Sequence, residues 1–412
     1  MVEIDPDRLL ASLRSLREYG ATGTGVVRQM FSDIDMTSRR WLVEQMTGAG
    51  LDASIDGVGS VYGRSRNSGP ALIIGSHSDT QPEGGWLDGA MGVMYGIEVA
   101  RTLHEDPTTQ HLAVDVASWA DEEGAYTSCL GSRSFVGEFP DEAMADASES
   151  GETVGQAIER LGLGGVPRAK FESDRHVGYL EAHIEQGPHL EAIGKRIGVV
   201  SSIVGIRAMQ ITFTGEQNHA GSTPMAMRKD ASVALFDFGV RVRERLQQLA
   251  GPTTVWTIGN ARLLPGGESI IAGQAWCGLQ FRDPSDDVMD AFQDAIVELA
   301  AQMTAEGPVQ VDAELRRAPM PPAAMDDKLR SLLGQAAERH VPGEWVDMPS
   351  AAIHDANVMS NHLPSAMLFI PSIGGISHDF AEDSTDRDIV TGCQVLATAT
   401  AAILERHLLP RV

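Results

Sequence analysis

Cysteine is scarce, with only Cys129, Cys277 and Cys393 in 412 residues, far apart and in no CxxC pattern. A disulfide framework is therefore not expected, and a reducing cytoplasm is the expected compartment. Basic residues are also few: 32 Lys and Arg face 57 Asp and Glu, a formal net charge of −25. No Lys/Arg cluster offsets that field, which would repel nucleic acid and an anionic membrane surface alike. No apolar run approaches the roughly 20 residues that a membrane span needs, so no membrane partner is expected. The first twenty residues lack the apolar core and small-residue cleavage site of a secretory signal. They read instead as an amphipathic helix with Asp5 as N-cap and Pro6 at its first position.

What is present fits a globular chain, 42% hydrophobic and 22% charged. Its length suits two structural units, each with a core. ALIIGSH (71–77) is a β-rich apolar run, and 89–105 has helical spacing after Asp88, a reasonable N-cap. LAVDVASWADEEG (112–124) reads as a further strand running into acids. This strand–helix–strand rhythm predicts an α/β unit with a mostly parallel sheet, whose functional groups collect at the carboxyl ends of strands. The small, acidic segment 144–155 reads as a surface loop. From about Gly205 the pattern changes to strand, helix, two strands, helix, strand, an α+β unit of ferredoxin-like size. The α/β character then returns, so residues 1–205 and 320–412 are expected to form one discontinuous domain interrupted by an insert at 206–319.

Five separated features carry chemistry. GSHSDT places His77 and Asp79 at a strand end, WLDG supplies Asp88, and WADEEG supplies Glu122 and Glu123. LEAHIEQGP supplies His183 and GGISHDF supplies His378. Taken singly, each has a plainer reading: a histidine at a strand end is more often structural, paired glutamates are usually surface, and Asp88 could be only a helix cap. Together they form a first shell for two divalent ions, since imidazole and carboxylate suit Zn or Mn and one carboxylate can bridge metals roughly 3.5–4 Å apart. Residues two apart on a strand face one side, so the Asp79 carboxylate is expected to accept the second ring N–H of His77. Adjacent glutamates diverge, leaving one to bind metal and the other to take a proton from water.

The runs GSHSDTQPEGGWLDGAMGV, DEEG, LGSRSF, EAHIEQGPHLE, GEQNHAGSTPM and PSIGGISHDFAED resemble the N-carbamoyl-L-amino-acid hydrolase and allantoate amidohydrolase group, within the wider clan of two-metal aminopeptidases and aminoacylases. The match runs from about residue 70 to the C-terminus. By that resemblance His77, Asp88, Glu123, His183 and His378 are metal ligands with Asp88 the bridge, Glu122 is the general base and Asp79 the orienting acid. Two divalent ions per subunit are implied, Zn or Mn, with Co or Ni acceptable. The insert is similar to the family's dimerisation lid, from which His219 reaches a partner subunit's site to polarise the scissile carbonyl. Gln186 and Arg282 match contacts to a small acidic substrate, the arginine clamping its carboxylate, and Asn218 and Gly375 lie beside matched positions.

Two departures touch the substrate side. Ser269, in ESIIAG, stands where the family usually has Asn, and EEGAYTSCLGS lacks the arginine that usually follows the glutamate pair. The expected reaction is hydrolysis of a C–N bond in an N-carbamoyl amino acid, allantoate or related ureido acid. A dipeptidase or N-acyl-amino-acid hydrolase with the same metals is the alternative. A catalytically dead ligand-binding homologue is the second, against which the intact ligand set and Glu122 speak.

Overall fold

A computed structural model describes residues 2–316 and 319–408. The few other positions that the expected domain limits take in lie outside the described residues. The chain divides into two compact units: Met1–Ser201 with Ala324–Val412, and Ser202–Ala323. These limits fall four residues outside 206–319 at either end.

In the first unit a nine-stranded sheet has four parallel strands at its centre. They run Ser365–Ile370, His176–Ile184, Ala71–His77 and Ala113–Trp119, in that order across the sheet. Val61–Ser65 and Leu51–Ile55 add antiparallel strands on one side, and Ile197–Ile203 adds one on the other. The sheet is thus mixed, not mostly parallel as expected. The central strands are buried throughout except for the half-buried Val177, as parallel strands covered on both faces must be, whereas Leu51–Ile55 alternates more and less exposed residues.

The N-terminal helix Pro6–Arg17 starts as expected, with the Asp5 carboxylate accepting from Arg8 N at 3.0 Å. Helix Ala90–Glu105 is buried for most of its length, but Asp88 does not cap it. Its N-cap is Gly89, with no side-chain cap bond. The strand read as 112–124 ends at Trp119, and the acids that follow form a turn. The C-terminal helix Asp386–Leu408 also corrects an expectation. It is long and apolar enough to cross a membrane by length and composition alone. Most of that apolar surface faces the interior of this unit, where Ile389, Cys393, Leu396, Ala399 and Ile403 join the main core.

The second unit holds a four-stranded antiparallel sheet, ordered Val255–Leu264, Gln274–Asp283, Gly205–Thr214 and Gln310–Leu315. Helices Ala231–Leu249 and Asp286–Glu306 pack on it through Phe238, Val242, Phe292 and Leu299. Element order and sheet order are those of a ferredoxin-like sandwich.

Beneath the loop after His77 lie two fully buried arginines. Arg28 donates to Ser78 O (2.7 Å), Leu16 O and Tyr19 O. Arg39 donates to Asp35 (2.9 Å) and Asp79 (3.4 Å), all three side chains having no exposed surface. Removing one partner of a buried pair strands the other charge. Asp35→Ala is therefore expected to destabilise this unit by about 3 kcal/mol, read as a lower denaturant midpoint; an unchanged midpoint would show the network to be energetically neutral.

Candidate metal centre

The carboxyl ends of the four parallel strands converge, and the expected residues sit on or just beyond them. His77 closes its strand and pairs in register with Trp119, two residues short of the turn that bears Glu122 and Glu123. His183 lies opposite Phe369 near the end of its own strand, and the loop after Ile370 carries Gly375 and His378.

Asp88 is at the centre. Its Oδ1 lies 3.0 Å from His183 Nε2 and 3.6 Å from His77 Nε2, while its Oδ2 lies 3.3 Å from His378 Nε2. His378 Nε2 is in turn 3.8 Å from Glu123 Oε2. Two groups therefore share Asp88, namely His77–Asp88–His183 and Asp88–Glu123–His378, each with ligand atoms close enough to hold one cation. Glu122 belongs to neither group, yet its Oε2 is 3.6 Å from His77 Nε2.

The turn after Trp119 explains the divergence of the two glutamates. Asp121 adopts a left-handed backbone (φ 52°), and its carboxylate accepts the amide N–H groups of Ala125, Tyr126 and Thr127. That knot sends Glu122 towards His77 and Glu123 towards His378 and Gln81.

The histidine tautomers fit metal ligation. His77 Nδ1 is 3.0 Å from Asp79 O and His183 Nδ1 is 2.9 Å from Ile184 O. A carbonyl can only accept, so each Nδ1 carries a proton and each Nε2 faces Asp88, to which it donates when protonated and where, deprotonated, it would offer a lone pair to a cation. His77 is thus oriented by the main-chain carbonyl of Asp79 and not by its carboxylate, as the spacing had suggested. The carboxylate is engaged by Arg39 and accepts Glu123 N at 3.4 Å.

The charge balance points the same way. Burial works against a charged Asp88, but hydrogen bonds from His183, His378 and His77 hold it well below the usual carboxylate range. Burial pushes Glu122 well above that range, and burial with the nearby Asp88 lifts Glu123 to about 7. The bond to Asp88 raises His378 to about 9. Glu123 Oε1 and Gln186 Oε1 are buried with no hydrogen-bond partner among the described residues. Three imidazoles, three carboxylates and an orphaned oxygen are a donor set suited to divalent cations.

A family model described as Peptidase family M20/M25/M40 matches residues 73–402. The chain belongs to this family. It is 32% identical over 406 residues to the N-carbamoyl-L-amino acid amidohydrolase of Geobacillus stearothermophilus, which spans 95% of this chain and 97% of that protein. It is 30% identical over 392 residues to the allantoate amidohydrolase of Bacillus subtilis (strain 168), across 92% of this chain and 93% of that one. Among solved structures, an amidase of the hydantoinase/carbamoylase family from Burkholderia phymatum is 48% identical, with a TM-score of 0.93 and 99% of each chain covered. The resemblance drawn from the motifs is the one these relatives bear out.

The remaining expected residues sit in four places. Gln186, at φ 57°, lies in the metal centre, its Nε2 3.2 Å from Asp88 Oδ2 and 3.3 Å from His378 Nε2. Gly375, at φ 67°, is backed against Pro188, where a Cβ would come within 2.7 Å of the Pro188 nitrogen. Asn218, His219 and Ser269 lie together in the second unit. Asn218–His219 pairs with Ile270–Ile271, and Ser269 O accepts from Ala220 N at 3.0 Å. Arg282 lies on that unit's sheet, its guanidinium donating to Gln280 Oε1 at 3.1 and 3.2 Å.

Three contributors escaped the sequence reading. Gln81 Nε2 donates to Glu123 Oε2 at 2.6 Å. Glu382 accepts Asp88 N (3.0 Å) and Leu87 N (3.2 Å), fixing the loop that presents Asp88. His354 packs edge-on against His183, with centroids 4.6 Å apart. Gln81, inside GSHSDTQPEGGWLDGAMGV, and Glu382, inside the run ending HDFAED, lay within quoted motifs, whereas His354 lay in none.

Gly89 leaves no room beside the ligands. It is held at φ 62°, and an added Cβ would fall onto the His77 ring. Gly89→Ala is expected to lower affinity for Zn or Mn at least roughly tenfold, a loss typical of disturbed ligand support, while the fold is kept. Metal content after dialysis and titration calorimetry measure this, and unchanged stoichiometry and affinity would refute it.

Proposed function

We propose that this chain is a metal-dependent amidohydrolase that cleaves the C–N bond of a small ureido acid, either an N-carbamoyl amino acid, allantoate or a close relative. The observation that carries this reading is the division of Asp88 between two imidazole groups, with Glu122 beside them and in neither. His77, Asp88 and His183 would hold one ion, and Asp88, Glu123 and His378 the other. Zn and Mn are the first candidates, with Co and Ni acceptable. Bound ions would supply Lewis acidity at the scissile carbonyl and lower the pKa of a water.

The protein's own groups do the rest. Glu122 takes the proton from the attacking water and returns it to the leaving nitrogen. Gln186 Oε1, buried without a donor, is an acceptor suited to the N–H of a ureido group. Arg282, braced by Gln280, clamps the substrate carboxylate bidentately, a selectivity that suits an acidic substrate in an acidic protein. Asn218, Ser269 and Gly375 are the softer substrate contacts.

His219 is a donor to the developing oxyanion. Its Nδ1 accepts two backbone N–H groups, from Gly221 (3.0 Å) and Ser222 (3.2 Å). The neutral ring then carries its proton on Nε2, which has no partner among the described residues. We place that donor in a partner subunit's site within a homodimer. In support, helix Ala231–Leu249 exposes Val233, Phe236 and Val240 on one stripe, and the edge strand Val255–Leu264 exposes nearly every side chain. The three cysteines are buried and unpaired, which fits a reducing compartment such as the cytoplasm.

Metal-loaded protein is expected to release ammonia from N-carbamoyl amino acids or allantoate, and Glu122→Gln to lose roughly a hundredfold or more in kcat with metal content intact. Turnover of dipeptides or N-acyl amino acids alone would overturn the substrate class. Near-normal turnover by the metal-replete variant would remove Glu122 as the base.

His219→Ala and Glu122→Gln are each expected to be nearly inactive. Mixed under subunit exchange, they should recover about a quarter of wild-type activity per site, because half the dimers are mixed and each of these has one complete site. No recovery despite demonstrated exchange would return His219 to its own subunit or to a structural role.

A further inference from the structure

We propose that a cleft beside Glu123 is the subsite for the substrate's side chain, and that it takes a bulky neutral group while rejecting a second anion. This rests on the ureido-acid reading above. The cleft has a volume of about 610 Å³ and lies entirely within the first unit. It begins at Gln81 and Glu123, one of the groups around Asp88, and ends at the turn Ser148–Ser150. A molecule whose carbonyl is held at the metal centre therefore has the cleft immediately beside it.

Its walls are built and not incidental. Phe31 is buried at φ 63°, a backbone conformation that costs a bulky residue free energy, and its N–H is held by Asp35 Oδ2 at 3.0 Å. Its ring meets Tyr126 edge-on, with centroids 5.3 Å apart. Pro82, Ala125 and Tyr126 give the cleft its accessible apolar surface, with Met30 and Phe31 buried behind them.

The charges decide what enters. Arg160 is the one cation among the described residues lining the cleft, and it is already engaged. Its Nε and Nη2 bond Glu152 at 2.7 and 2.9 Å, and Tyr126 donates to the same carboxylate at 2.7 Å. The other charged lining groups, Glu123 and Glu149, are acids. An anionic side chain would meet the exposed Glu149 carboxylate and no unengaged cation among the described lining residues, whereas a neutral one would cover Pro82, Ala125 and Tyr126. Ala125 and Tyr126 form this wall where the sequence lacks the arginine that usually follows the glutamate pair.

The test uses the full-length, metal-loaded enzyme and kcat/KM for the N-carbamoyl derivatives of glycine, methionine, phenylalanine and aspartate. The phenylalanine and methionine derivatives are expected to exceed glycine roughly tenfold or more, as filling an apolar pocket does, with aspartate the poorest. Gln29 lines the cleft with an exposed side chain. Gln29→Trp should lower the two bulky substrates roughly tenfold while glycine stays within about twofold. Gln29→Arg should raise aspartate relative to glycine. If Gln29→Trp lowers all four equally or none, and Gln29→Arg leaves the aspartate-to-glycine ratio unchanged, the cleft is not the side-chain subsite. If wild-type enzyme hydrolyses none of the four or allantoate, the ureido-acid reading itself fails.

Discussion

A buried carboxylate must be compensated, and in this chain the compensation of Asp88 organises everything around it. Its side chain is almost wholly excluded from solvent. Without neighbours it would take up a proton rather than stay charged at such a position. Three imidazoles reached from three different strand ends keep it ionised, and the Glu382 carboxylate fixes its main chain from a fourth direction. The parallel centre of the sheet is what makes that convergence geometrically available, because all four strands deliver their carboxyl ends to one edge.

The histidines depend on groups that contribute nothing chemically. His77 needs the carbonyl of Asp79, that carbonyl needs a fixed loop, and the loop is fixed by Arg28 and Arg39 below it. Two charged side chains with no exposed surface are an expensive foundation, tolerated because each guanidinium finds carbonyl or carboxylate acceptors on several sides. The functional precision of the centre is thus set about two layers beneath it.

Much of this was legible in the sequence. His77, Asp88, Glu123 and His183 stand at strand ends or in glycine-bearing turns, and the structure gathers them with His378 because those ends share an edge. The strand–helix alternation of the insert was equally readable, since each element carries its own periodicity. What was hidden depends on the main chain or on distance. The Asp79 carbonyl has no signature in a side-chain pattern, so the carboxylate was credited with its work. Asp88 precedes a helix and looks like a cap, whereas its carboxylate is drawn away by histidines 11 residues before it and 95 and 290 after it. The antiparallel margins escaped because Leu51–Ile55 and Val61–Ser65 are short and flank a turn that reads equally well as loop.

Gly85 and Gly89 flank Asp88 in a way that bears on how such an enzyme can change over time. A side chain at Gly85 would collide with the Glu382 carboxylate, and one at Gly89 with His77. At these two positions flanking the central carboxylate, any side chain meets a group that supports it. Gln29 and Ser150, which line the cleft, are exposed. With the cleft as the side-chain subsite proposed above, a lineage built on this scaffold can explore new substrates by substitutions at the rim while its chemistry stays fixed. Diversification and catalysis are carried by different residues, and selection can act on one without endangering the other.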